Sequence, residues 1–126
     1  MTSDREPLDE RQCLRLLADM SVGRVVYTVR ALPAVLPVRF RLDGDGSLLL
    51  RAPAGSEVPR AVHDAVIAFE VGEVSGADGA GWSVTVLGTA QVLPGKGGAA
   101  PEEVLIRLRP EVVTGRVLES IPAPPR

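Results

Sequence analysis

Apolar and polar residues alternate through the middle of the chain. Val38, Phe40 and Leu42 interleave with Arg39, Arg41 and Asp43, the period of a half-buried strand. Asp43-Gly44-Asp45-Gly46 supplies residues that tolerate positive φ, and Leu48-Leu49-Leu50 resumes the apolar run, so the stretch reads as a hairpin. After Arg51, Gly55-Ser56 leads into a short helix, with Ser56 as N-cap, Pro59 in the first turn and Val58, Ala61, Val62 and Ala65 facing inward. Upstream, Asp9 and Gln12 form a capping box, and Leu8 and Cys13 stand at staple positions. That helix presents Cys13, Leu16, Leu17 and Met20 on one face and is expected to end in a left-handed Gly23.

The remaining pattern is mostly strand. Arg24 to Arg30 is rich in β-branched residues, Ala31-Leu32-Pro33 is a short connection, and Ala34 to Leu42 returns with Pro37 marking an edge or a bulge. Val66 to Val71 is a further strand, followed by a flexible loop from Ser75 to Gly81. Trp82, Val84, Val86 and Gly88 then share one face, opposite Ser83, Thr85 and Leu87, with Gly88 marking a bend or a close backbone approach. Pro94 to Pro101 is Gly-rich and expected to be mobile, and Glu103 to Arg109 is a last strand. About six strands in hairpins with two short helices imply a mainly β, antiparallel barrel.

The length fits one domain spanning 1–126, with 1–7 and 117–126 expected as flexible tails. Only four residues are aromatic, so Val, Leu, Ala and Ile must build the core. A net charge of −2 favours neither nucleic acid nor an anionic membrane surface. The single Cys13 excludes an intrachain disulfide, and the polar, acidic N-terminus lacks a signal-peptide pattern, so a cytoplasmic location is expected. No apolar run approaches the roughly 20 residues of a membrane span.

The candidate chemistry is sparse. His63 has no partner pattern and reads as a surface residue, and Cys13 reads as buried. Asp43-x-Asp45-x-Ser47 starts like a calcium loop but lacks its later Gly and Glu, and Gly95-Lys96-Gly97-Gly98 lacks the spacing of a phosphate loop. Arg51 beside Gly55-Ser56 is a candidate anion site. Arg24, Arg30, Arg39, Arg41 and Arg51 either line a basic groove or are outward strand charges.

Several segments, in this order and spacing, resemble the pyridoxamine-5′-phosphate-oxidase-like FMN-binding split barrels, particularly the short bacterial members. They are Ser21-Val22-Gly23-Arg24, Pro37-Val38-Arg39-Phe40, Leu49-Leu50-Arg51 before Gly55-Ser56, Ile67 to Val71, Gly81-Trp82-Ser83-Val84 with Gly88-Thr89-Ala90, and Val113-Thr114-Gly115-Arg116. The resemblance implies a six-stranded antiparallel split β-barrel that forms a homodimer, with FMN in a groove at the dimer interface and an oxidoreductase activity on an unknown substrate. It assigns Arg39, Arg51 and Ser56 to the phosphate. The ring falls to Pro37, Val38, Trp82 and Ser83, with Phe40 in the same cofactor-binding strand. The chain departs from the family at the phosphate, with Ala52 where Thr is common, Glu57 where Lys is common and Arg39 where Asn is frequent. Exchanging an attractive for a repulsive unit charge at about 4 Å is worth several kcal/mol before screening. Two alternatives follow: a non-enzymatic relative whose decayed flavin site binds another ligand or partner, and a deazaflavin-dependent reductase.

Overall fold

In the computed structural model, which describes residues 6–94 and 102–121, β1 (Glu6–Leu8) and α1 (Glu10–Ala18) precede a barrel. Its elements are β2 (Val22–Val29), β3 (Leu32–Leu42), β4 (Leu48–Pro53), α2 (Val58–Val62), β5 (Val66–Val74), β6 (Gly81–Leu93) and β7 (Glu103–Leu118). The strand order is β1-β7-β4-β3-β2-β5-β6, and β6 pairs back onto β7. Six antiparallel strands, β2 to β7, therefore close on themselves, and β1 is an addition to the expected count.

β7 makes both closure and addition possible because of its length. Its first half pairs with β4 from Glu103 to Leu108, and the same edge is taken up by β1 from Gly115 to Val117. The ladder with β6 shifts register between Leu87 and Gly88, opposite Pro110. A Cβ on Gly88 would overlap the Arg109 carbonyl, so the expected close approach is present and explains the glycine. Strand content at Glu6–Leu8 and at Val117–Leu118 extends into the segments expected as tails. The Gly-rich stretch after Pro94 lies outside the described residues.

The core follows from the alternation. Val25, Tyr27, Val38, Phe40, Leu48, Leu50, Phe69, Val71, Val84 and Val86 are buried. Phe40 and Phe69 meet edge to face, with centroids 4.9 Å apart. α1 has the capping box: Asp9 Oδ1 accepts from Gln12 N–H at 2.8 Å, and Gln12 Oε1 accepts from Asp9 N–H at 2.9 Å. Cys13 and Leu17 seal one opening of the barrel.

Two expected caps are corrected. α1 ends at Ala18 with Asp19 as a right-handed C-cap, and Gly23 lies inside β2. Gly23 is there for space, since a Cβ would overlap the Phe69 ring. The N-cap of α2 is Glu57 rather than Ser56, because the Ser56 hydroxyl donates to the Pro53 carbonyl of its own turn at 2.7 Å. Arg30 and Ala31 make the turn between β2 and β3, so β3 starts at Leu32, earlier than expected. No helix among the described residues is long and apolar enough to cross a membrane.

Candidate functional site

The barrel is split between β3 and β4. On β3, β4 pairs with Arg39 to Leu42, and among the described residues the preceding half of β3 has no neighbour on that side. Phe40 N–H donates to Ser21 O at 2.9 Å, which sets the phase of the β2–β3 ladder. In an antiparallel ladder bonded and non-bonded pairs alternate, so Pro33, Val35 and Pro37 direct their backbone groups to the open edge. Both prolines thus occupy positions where the missing N–H leaves the ladder intact. The edge offers three carbonyls and one N–H, from Val35. A strand so short of donors is a poor template for pairing with another strand.

Arg39 and Arg51 lie at the closed end of this split. They are direct cross-strand neighbours and are both exposed on the outer face. Arg24 pairs with Glu70, and Arg41 with Asp43 at 3.7 Å, so two of the five candidate arginines are solvated ion pairs. Among the described residues neither Arg39 nor Arg51 has a carboxylate within 4 Å. Two unopposed guanidiniums side by side suit an anion that can take both.

Beyond Arg51 the chain turns toward α2. Ala52 is fully buried, pairs with Val104 and faces the core. Glu57, at the N-cap of α2, reaches β2, where its Oε2 accepts from the Tyr27 hydroxyl at 3.2 Å. Burial of the Tyr27 ring raises the phenol above its ordinary value of 10.0, and the Glu57 hydrogen bond and charge add to the shift.

The remaining candidate residues divide by face. Pro37 and Arg39 point outward, whereas Val38 and Phe40 are buried in the core. Their backbone groups point into the β2 ladder, as the bond from Phe40 N–H to Ser21 O shows, so neither residue presents a group to the open edge. Ser83 belongs to the outward set of β6, opposite Arg116 and Gly72. Trp82 belongs to the inward set and lines a groove of about 660 Å³ with Leu8, Leu16 and Leu118. Within one chain, therefore, Pro37, Arg39, Arg51 and Ser83 share the outer face and Trp82 does not.

The outer face also carries an apolar band. Val35, Val26, Ala68, Leu87 and Val112 are successive neighbours across β3, β2, β5, β6 and β7. Val35 is 57%, Leu87 41% and Val112 48% exposed, a row too continuous to be scattered surface residues. Arg24–Glu70 and the Thr89–Glu111 hydrogen bond flank it. The sequence reading missed this band because its members are distant in the chain and only the register aligns them.

His63 and Cys13 hold the places expected of them. His63 is exposed at the end of α2, and its Nδ1 accepts from Val92 N–H at 3.0 Å. Cys13 is buried, and its thiol is pushed up first by burial and then by Asp9 and Glu10, the opposite of an activated nucleophile. Asp45 accepts from Ser47 N–H at 2.9 Å, which holds its carboxyl below the usual range and accounts for it as a turn residue. Among the described residues no group of three potential metal ligands comes together.

Known proteins share this architecture. The chain is 32% identical over 130 residues to the uncharacterized protein Rv0080 of Mycobacterium tuberculosis, covering 86% of this chain and 82% of the relative. The solved FAD binding protein from Mycobacterium smegmatis superposes with a TM-score of 0.76 at 25% identity, over 91% of this chain and 99% of that one. An FAD-binding protein from Mesorhizobium loti shares the fold with a TM-score of 0.71 at 21% identity, over 92% of this chain and 98% of that one. Residues 9–119 match the family model described as pyridoxamine 5′-phosphate oxidase. With a closed six-stranded barrel and a match over most of its length, the chain belongs to the pyridoxamine 5′-phosphate oxidase-like family.

Proposed function

We propose that this chain is a flavin-binding oxidoreductase that works as a homodimer, with FMN lying along the split between β3 and β4. The observation that carries the reading is the junction of two features. A donor-poor open edge of β3 ends at Arg39 and Arg51, two cations without an acidic partner among the described residues. Arg39 and Arg51 bind the phosphate, while Pro37 and the open backbone edge face the ring. An isoalloxazine offers an N–H that suits the edge carbonyls and carbonyl oxygens that suit Val35 N–H.

A bound flavin supplies the hydride or electron chemistry. The protein holds its phosphate, orients its ring and excludes water. Exclusion of water is where the second copy enters. The band from Val35 to Val112 crosses five strands, roughly 19 Å at ordinary strand spacing, and its burial against a partner closes over the neighbouring split. The flavin-binding relatives named above support the cofactor class.

Glu57, an acid where the family commonly has Lys, favours a second reading, in which the flavin site has decayed and the split binds another ligand. The absorption spectrum of freshly purified protein separates the two. Flavin bands, with one flavin released per protomer on denaturation, support the first reading. Colourless protein that takes up no added FMN supports the second, and uptake of a deazaflavin alone would make the protein a deazaflavin reductase.

A further inference from the structure

A second site lies away from the split. The groove of about 660 Å³ that Trp82 lines runs along one flank of α1, and among the described residues nothing from β3, β4 or α2 borders it. Its walls are mostly apolar. Trp82 and Val117 are direct partners across β6 and β7, Leu8 comes from β1 and Leu16 from α1. Trp82 is only half-buried, so part of its ring is open to the groove. Apolar walls with a few converging polar groups are the ordinary make-up of a small-molecule site.

The polar groups come from one row of α1. Gln12, Arg15 and Asp19 follow one another at helical spacing and line the same groove. Arg15 and Asp19 stand where a helical ion pair would form, yet neither has an opposite charge within 4 Å among the described residues. Their order explains why: a cation preceding an acid is the poorer arrangement along a helix. Asp19 is also the C-cap, where the helix dipole disfavours a carboxylate and a nearby cation relieves it. Gln12 Oε1 is taken by Asp9 N–H, which fixes the amide and leaves its nitrogen as a donor on the Arg15 side of the helix.

We propose that this groove binds a free aromatic α-amino acid. The ring packs on Trp82 between Leu8 and Leu16, Arg15 and Gln12 take the carboxylate, and Asp19 takes the ammonium. Arg15 and Asp19 are separated by about 6 Å along the helix axis. The long arginine side chain spans the difference to two groups carried on one carbon. The groove supplies one cation and one anion, so a zwitterion matches it, and a ligand with a single charge leaves the other side chain unmet. This site needs no flavin and stands whether or not the split binds one.

Trp82 is the single tryptophan of the chain, so its fluorescence reports on the groove directly. Titration of the full chain with L-phenylalanine, excited where only tryptophan absorbs, is expected to give a saturable change at millimolar concentration or below. Phenylacetate lacks the ammonium, phenethylamine lacks the carboxylate and alanine lacks the ring. Each is expected to bind at least about tenfold more weakly than phenylalanine. Arg15→Gln and Asp19→Asn, both at exposed positions, should each weaken phenylalanine by a similar factor with an unchanged melting curve. Calorimetry on the same samples checks that the optical change is binding. Absence of saturable phenylalanine binding, phenylacetate or phenethylamine bound as tightly, or an affinity unchanged in either variant overturns the proposal.

Discussion

Arg39 and Arg51 stand directly opposite each other across the β3–β4 ladder, on one face, with no carboxylate within 4 Å of either among the described residues. Like charges so placed cost a few tenths to about 1 kcal/mol. A fold that keeps both gains nothing from them without an anion. Arg51→Ala is therefore expected to melt at the same temperature as the native protein or about 2 °C higher at low salt, the gain fading as salt screens the pair. A melting temperature several degrees lower would show that Arg51 supports the fold.

Tyr27 is the only tyrosine in the chain, so its ionisation can be followed directly by ultraviolet absorbance. Burial, followed by the Glu57 hydrogen bond and charge, raises its pKa above 10.0. The folded state then keeps the proton after the unfolded chain has lost it. Stability from this group is complete below about pH 10 and declines as pH rises through the folded value. Glu57→Gln should move the titration back toward 10, and Tyr27→Phe should remove this part of the alkaline destabilisation. A titration at 10 in the native protein would contradict the buried, acid-bonded phenol.

Gly88 is needed where β6 crosses the bulge. Gly88→Ala forces a Cβ into the Arg109 carbonyl, which neither strand can avoid cheaply, and is expected to cost about 2–4 kcal/mol in chemical unfolding. Gly44→Ala meets nothing within 4 Å and should stay within about 0.5 kcal/mol. Equal effects would mean that the β6–β7 register differs from the one described.

The apolar band makes a prediction about assembly. Sedimentation of the native protein should give a dimer, and Leu87→Asp, in the middle of the band, a monomer with an intact melting transition. Ile121→Asp, exposed but outside the band, should remain dimeric. A native monomer, or a dimeric Leu87→Asp, rejects this face as the interface.

What the sequence made legible was mostly local. Asp9 and Gln12 are three residues apart, and their capping box is present. The turn at Asp43 to Ser47 closes through Asp43 N–H to Ser47 O and holds Gly46 at φ 90°. Alternation along β3 and β6 separated core from surface, because side chains of successive strand residues point to opposite faces. Misreadings came where distant partners decide. Gly23 looks like a helix stop until Phe69 is placed against it. Trp82 is placed on the inward face by alternation, while its position beside α1 depends on the register. The bond from Tyr27 to Glu57 joins residues 30 apart, and the pairing of β1 with the end of β7 spans more than 100 residues, so neither has a local signal. Pro37 is the instructive middle case. Its missing N–H announced an edge, while the width of that edge depended on where β4 stops pairing.

The most direct test of the split as a flavin site is the affinity for FMN of the native protein and of the Arg39→Ala/Arg51→Ala double variant, measured by quenching of flavin fluorescence. Two charge-assisted contacts are worth about 3–6 kcal/mol. The native protein is predicted to bind one FMN per protomer and the double variant to bind it at least a hundredfold more weakly. FMN bound equally by both proteins, or by neither, would contradict the assignment.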